Sequence, residues 1–90
     1  MLVIQISLMD EDQEIIKILE PHYREILEEP NLNLTRELTA DDVDTWDSLN
    51  HILLIIKCEE VLNIKFNAEE LSDLINFGEF LDLIKRNRKS

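Results

Sequence analysis

The chain has 90 residues, 9 of them basic and 20 acidic, and its formal net charge is −11. This length supports one domain, which is too small to bury both a large core and a deep catalytic cavity. The excess of acid repels nucleic acid and anionic membranes, and it suits partners with basic docking surfaces. No stretch is long and apolar enough to insert in a bilayer. The single cysteine, Cys58, excludes an internal disulfide and fits a cytoplasmic location.

The first nine residues alternate loosely between apolar and polar side chains. A strand-like arm and an extra helical turn both fit this pattern. The segment lacks a basic start and runs straight into acidic residues, so it is a poor signal peptide.

From about Asp10 the apolar residues recur with the period of a helix. Pro21 interrupts the hydrogen bonding, but the apolar stripe continues in phase beyond it. We therefore predict one kinked helix that Pro30 stops. Its apolar stripe consists of Ile15, Ile16, Leu19, Tyr23, Ile26 and Leu27.

Residues 30–47 are expected to form a long loop with a short turn at Thr39–Val43. Loops of this length are uncommon in compact domains and are often functional. Four apolar residues are expected to pin the loop to the core: Leu32, Leu34, Leu38 and Val43. Acid accumulates towards its end, at Glu37, Asp41, Asp42, Asp44 and Asp47.

The next helix is predicted to begin at Asp47 or Ser48 and to reach about Leu62, with Asp47 as its N-cap and Asn63 as a left-handed C-cap. A brief third helix, which Asn67 caps, and a last helix from about Phe77 to Arg86 follow. The sequence thus predicts an all-α, four-helix bundle with a short third helix and a long loop between the first two. Its expected core includes Leu19, Tyr23, Ile26, Leu54, Ile55, Phe77, Phe80, Leu81 and Ile84.

Ser48 is the residue that carries the most chemical information. At the start of a helix its hydroxyl lies in solvent beside unpaired backbone N–H groups, which favour an anion such as a phosphate ester. Leu49, Ile52 and Ile56 follow at spacings that could line the path of a flexible arm. The competing interpretation is a plain capping serine, which is a common use of this residue.

The segment around Ser48 resembles the acyl carrier protein family. The matching residues are Leu38-Thr-Ala-Asp-Asp-Val-Asp-Thr-Trp-Asp-Ser-Leu-Asn-His-Ile52, then Glu59-Glu60 and Ile64-Lys-Phe66. The stretch from Trp46 to Ile52 is similar to free-standing carriers of bacterial biosynthetic clusters, including polyketide-type and cell-envelope pathways. The resemblance covers an acyl carrier domain at about residues 13–86, with an amino-terminal arm at 1–12 and a basic tail at 87–90.

The resemblance implies a carrier that is not itself an enzyme. A phosphopantetheinyl transferase would move 4'-phosphopantetheine from coenzyme A to Ser48, and Asp47 and Leu49 would assist its recognition. Acyl groups would then travel as thioesters on the arm, supplied and removed by acyl-loading and acyl-transferring enzymes. Magnesium and coenzyme A belong to the transferase, so no metal site is expected in this chain, which is expected to be a monomer.

Partner docking is assigned to the exposed side of the second helix, at Asn50, Leu53, Ile56, Lys57 and Glu60. Members of the family often carry an acid at the position of Leu53 and a small residue at that of Lys57. Leu53 makes the docking patch of this chain more apolar than is usual in the family, and Lys57 argues against purely acidic recognition. We therefore hypothesise that the chain serves a narrow set of dedicated partners.

Other functions fit the residues less well. His51 has no third group to orient it as a base and is interpreted as a structural or partner contact. Cys58 lies seven positions from His51, too far for direct activation, so a buried core thiol is expected. The acidic run lacks the glycine and the terminal glutamate of a calcium-binding loop. A hydrolase that uses Ser48 lacks a triad, which leaves an unmodified helical interaction module as the alternative function.

Overall fold

The structure is a computed structural model that describes residues 10–89; the strand or helical turn considered for residues 1–9 lies outside the described part. Within it the chain forms four α-helices and one 3-10 turn, and no strand. The predicted all-α fold, with a short third helix and a long loop between the first two, is confirmed. The elements are α1 Glu11–Leu27, the 3-10 turn Ala40–Asp42, α2 Ser48–Leu62, α3 Ala68–Ser72 and α4 Phe77–Lys89.

Helix α1 is continuous through Pro21. Asp10 caps it by accepting the N–H of Gln13 at 2.9 Å. It ends at Leu27, earlier than the stop expected at Pro30, because Glu28 adopts the left-handed conformation with φ 56°. In that geometry the N–H groups of Glu28 and Glu29 bond to carbonyls of the last turn, so the helix ends through its own backbone.

The core forms where α1, α2 and α4 meet. Helix α1 buries every fourth residue, and α2 contributes Leu54 and Cys58. Full burial of one aliphatic side chain contributes about 1.5–3 kcal/mol to folding. The expected core residues are buried, except Ile26 and Ile55, which are half-buried and pack against the others. The buried set is Ile15, Leu19, Tyr23, Leu27, Leu34, Val43, Leu54, Cys58, Phe77, Phe80, Leu81, Leu83 and Ile84.

The long loop is pinned to the bundle as its apolar residues predict. Leu34 and Val43 are buried, and Leu32 and Leu38 pack against the core. The loop backbone also bonds to the start of α4: Phe77 N–H donates to Leu38 O at 2.8 Å, and Gly78 N–H donates to Arg36 O at 2.8 Å. This approach requires glycine, since a Cβ at residue 78 would lie 2.9 Å from Arg36 O.

The remaining helix ends follow local signals. Asn63 is the left-handed C-cap of α2, with φ 55°, and Asn67 caps α3 by accepting the N–H of Glu70 at 3.0 Å. Helix α3 is two residues shorter than the expected end at about Leu74. Helix α4 continues to Lys89, three residues beyond the expected end at Arg86. Among residues 10–89, none of the helices has the combination of length and apolar character that a membrane crossing requires.

Candidate functional site

Ser48 is the first residue of α2, and its side chain is exposed. Asp47 precedes it in an extended conformation and accepts the N–H of Asn50 at 2.8 Å, as the sequence predicts. In the described part of the chain no hydrogen bond reaches the Ser48 hydroxyl, or the backbone N–H groups of Ser48 and Leu49. The hydroxyl is therefore open to solvent beside two free donors at the positive end of a four-turn helix.

The backbone before Ser48 is held in place by hydrogen bonds to two helices. Thr45 Oγ1 donates to Leu27 O at the end of α1, at 2.7 Å. Asn50 Nδ2 donates back to Thr45 O at 2.8 Å. Trp46 N–H donates to Val43 O at 3.0 Å, and Val43 is itself buried. These contacts fix the direction in which the chain enters α2, so Ser48 projects from a rigid support.

Trp46 anchors the loop to the core. Its ring meets that of the buried Tyr23 edge-on, with centroids 5.7 Å apart. Its indole N–H donates to Nδ1 of His51 at 3.1 Å, and the two rings are stacked with an interplanar angle of 27°. Of the two contacts considered for His51, structural or with a partner, the structure shows the first, because its Nδ1 accepts the indole N–H of Trp46.

The exposed side of α2 is strongly apolar. Leu49 is 65% exposed and Ile56 is 55% exposed, and Ile52 and Leu53 lie between them in solvent. Apolar side chains that cluster at a surface in this way mark an interaction site more often than scattered ones do. We call these four residues the apolar face of α2.

The polar residues predicted to face partners divide into two kinds. Lys57 Nζ pairs with Glu60 Oε1 at 2.9 Å near the end of α2, and this hydrogen bond lowers the pKa of the Glu60 carboxyl. Asn50 is half-buried and directed towards Thr45. The structure therefore brings Leu53, Ile56 and the Lys57–Glu60 pair together on the surface, while Asn50 supports the loop.

A cavity of about 100 Å³ opens beside the site, between α2, the long loop and the connection from α3 to α4. Tyr23, Trp46, Leu54 and Phe80 contribute to its mostly apolar wall. Ile75 also lines it and is 73% exposed. Sequence reasoning missed Ile75, and the available signal was an isolated apolar residue within a short polar connection.

Cys58 is a buried thiol, as expected. It is 1% exposed and lies beside the Tyr23 hydroxyl. Burial, opposed in part by that hydroxyl, raises the pKa of the Cys58 thiol to about 12. A thiol in this state is neither a nucleophile nor a metal ligand.

Comparison with known proteins adds one informative relative. No protein-family model and no curated protein matches the chain. It is, however, similar to a solved structure, the solution NMR structure of a holo acyl carrier protein from Geobacter metallireducens. The two are 37% identical, with a TM-score of 0.77, and the match covers 83% of this chain and 86% of that chain. At this identity over most of both chains, the similarity shows a shared family as well as a shared fold. The chain belongs to the acyl carrier proteins, which are carriers and not enzymes.

Proposed function

We propose that this carrier holds acyl groups as thioesters on a 4'-phosphopantetheine arm attached to Ser48 and presents them to biosynthetic enzymes. The observation that carries the proposal is the exposed Ser48 hydroxyl at the first position of α2, next to two free backbone donors. The relative from Geobacter metallireducens is a holo protein, which supports a covalent arm here by homology. We also propose a cytoplasmic location, which the single cysteine of the chain fits.

Attachment requires no base from this chain. In the transfer, Ser48 Oγ forms a bond to the phosphorus that bears pantetheine, and the bond from that phosphorus to adenosine 3',5'-bisphosphate breaks. The hydroxyl proton passes to a base of the phosphopantetheinyl transferase. The chain supplies an accessible oxygen, and the N–H groups of Ser48 and Leu49 favour the resulting phosphodiester anion.

Mass spectrometry tests the attachment. The purified chain is incubated with coenzyme A, magnesium and a broad-specificity phosphopantetheinyl transferase. The wild-type chain should gain the mass of one phosphopantetheine, and Ser48→Ala should gain none. If the wild type stays unmodified while a control carrier is modified, the chain is instead a helical interaction module. Arm mass on Ser48→Ala would place the attachment elsewhere.

We further propose that enzymes of a narrow, dedicated set dock on the apolar face of α2. Leu53 and Ile56 offer apolar contact area, and the Lys57–Glu60 pair offers both signs of charge where a purely acidic surface would offer one. The strong negative charge of the chain speeds encounter with basic partners more than it tightens complexes, which suits a carrier that must be released.

The transferase, as the first partner in this scheme, allows the docking face to be tested. Leu53→Glu combined with Lys57→Ala should lower kcat/KM for arm transfer by about tenfold, the effect of losing one buried apolar contact. Ile18→Glu is the control, because Ile18 is also an exposed apolar residue, 43% accessible, but lies on α1. Equal rates for the wild type and the α2 double variant would rule out docking through this face.

A further inference from the structure

The hydrogen bond between Trp46 and His51 fixes the tautomer of the histidine. An indole N–H can only donate, so Nδ1 of His51 must accept through its lone pair. In the neutral imidazole the proton then resides on Nε2. His51 therefore presents an N–H donor, and it has no free lone pair with which to act as a base.

The position of this donor is set by the core. Trp46 packs edge-on against Tyr23, which in turn packs edge-on against Phe77 with centroids 5.5 Å apart. Tyr23 and Phe77 are both buried. Trp46 thus links the His51 ring to the bundle interior. An exposed histidine side chain would otherwise sample several rotamers, and here stacking and a hydrogen bond restrict it.

The donor has no partner within the described residues. The only side-chain hydrogen bond of His51 is the one through Nδ1. His51 and Ser48 are one helical turn apart on the same side of α2. Both line a shallow depression with Ala40, Trp46, Asp47 and Ile52. His51, with its oriented N–H donor, therefore lines the same depression as Ser48, the residue to be esterified.

We propose that His51 is a positioning residue for the phosphodiester on Ser48, and that Trp46 holds it in the required tautomer. The inference rests on the proposed attachment of phosphopantetheine to Ser48. The Nε2–H donates to a phosphodiester oxygen, adding a side-chain donor to the backbone N–H groups of Ser48 and Leu49. Charge-assisted hydrogen bonds of this kind are short and directional, so the bond restrains the start of an otherwise flexible arm against α2.

Nuclear magnetic resonance tests the contact directly, with the other histidine as an internal control. The chain has two histidines, and His22 lies on α1. Long-range proton–nitrogen spectra should show the Nε2–H tautomer of His51 in the apo protein. Attachment of the arm should shift the ring signals of His51 and slow exchange of its Nε2–H with water, while the ring signals of His22 stay in place.

Phosphorus spectra of the holo protein provide the second readout. The phosphodiester resonance of folded wild type should differ from that in denaturant. His51→Ala should move it towards the denatured position, and His51→Gln, which retains an N–H donor, should restore at least half of the difference. Trp46→Phe should give an intermediate position, because the donor remains but its tautomer is no longer fixed. A His22→Ala protein should match wild type, and thermal melts confirm that each variant is folded.

The outcomes separate this inference from the proposed function. If no arm is attached to wild type, both fail. If the arm is attached but the phosphorus resonance is the same in wild type and His51→Ala, the carrier function stands and the role of His51 is wrong. Unchanged His51 ring signals on arm attachment would overturn it equally.

Discussion

At the scale of single residues, Asp47 combines a structural role with a proposed recognition role, and one substitution can separate the two. Its carboxylate caps α2 by accepting the N–H of Asn50, and we propose that the transferase also recognises its charge. Asp47→Asn retains an oxygen acceptor but loses the charge, whereas Asp47→Ala loses both. We expect Asp47→Ala to lower the free energy of unfolding by about 1 kcal/mol, and Asp47→Asn to change it by only a few tenths.

Arm transfer should respond differently from stability in these two proteins. If the charge is recognised, Asp47→Asn slows transfer by about tenfold, the value of one hydrogen bond to a charged group. Denaturant unfolding and transfer kinetics on the same samples provide the measurement. If Asp47→Asn is modified at the wild-type rate and Asp47→Ala is modified slowly, Asp47 acts only as a helix cap and the transferase does not recognise its charge.

Cys58 gives the second residue-scale prediction, which concerns thiol reactivity. With its pKa raised to about 12 by burial, roughly 1 in 10,000 of these thiols is ionised at pH 8, against about 1 in 4 for an ordinary cysteine. Native apo protein should therefore not react with Ellman's reagent within minutes, and unfolded protein should release one equivalent. In the native holo protein only the thiol of the arm should react, releasing one equivalent of the coloured product. Cys58 would then not compete with the arm thiol for acyl groups. Rapid reaction of native apo protein would contradict the burial of Cys58.

At the scale of elements, an ion-pair cluster joins α1, the long loop and α4. Asp12 Oδ2 accepts from Arg36 at 2.7 Å, and Asp12 Oδ1 accepts from Lys85 at 2.6 Å. Arg36 also reaches Asp82 at 2.9 Å. The hydrogen bond from Lys85, followed by that from Arg36, lowers the pKa of Asp12, and the hydrogen bond from Asp12 raises the pKa of Lys85. The cluster secures the loop on the side of the bundle where Gly78 meets Arg36.

Removal of the Asp12 charge tests the cluster. Asp12→Asn should lower the free energy of unfolding at pH 7 by about 1 kcal/mol, since its pairs are only partly exposed. Because the pKa of Asp12 is lower in the folded state, its contribution is complete above the ordinary value of 3.8 and is lost as the pH falls through the folded value. The difference between wild type and variant should therefore shrink below about pH 4.

Asp73→Asn is the matched control, because it removes the same charge from an exposed side chain that has no ion pair in the described part of the chain. Denaturant unfolding of the three proteins across this pH range provides the data. A destabilisation of Asp12→Asn that equals that of Asp73→Asn, or that persists in acid, would show that the cluster does not stabilise the fold.

The elements also show where sequence reasoning succeeds. Helix periods, the caps at Asp47 and Asn63, and the exposure of Ser48 depend on residues within one or two turns, so local patterns predict them. The Arg36 contacts join residues 24 and 46 positions apart, and no local signal specifies such pairings. The Trp46–His51 hydrogen bond is local, but it depends on how Trp46 packs against Tyr23 of another helix. For this reason the sequence predicted for His51 only a structural or partner contact, without naming Trp46.

At the scale of the whole molecule, the unbalanced charge sets the electrostatics. Several basic residues are already paired with acids, as in the Arg24–Glu20 and Arg88–Glu11 pairs. The remaining acids carry the net charge of −11 on a molecule with a radius of gyration of 13.6 Å. Repulsion at this charge density opposes the compact state.

Moderate salt should therefore raise the thermal midpoint. Between about 10 mM and 150 mM NaCl the Debye length falls from about 30 Å to about 8 Å, from more than the radius of gyration to less than it. Screening weakens the exposed ion pairs too, but each contributes little, so relief of the long-range repulsion dominates. Thermal melts in NaCl measure this screening effect. Sulfate is avoided because its exclusion from the protein surface stabilises the folded state independently of charge. A midpoint that stays constant or falls over this range would mean that local pairs, and not net charge, govern the stability of the carrier.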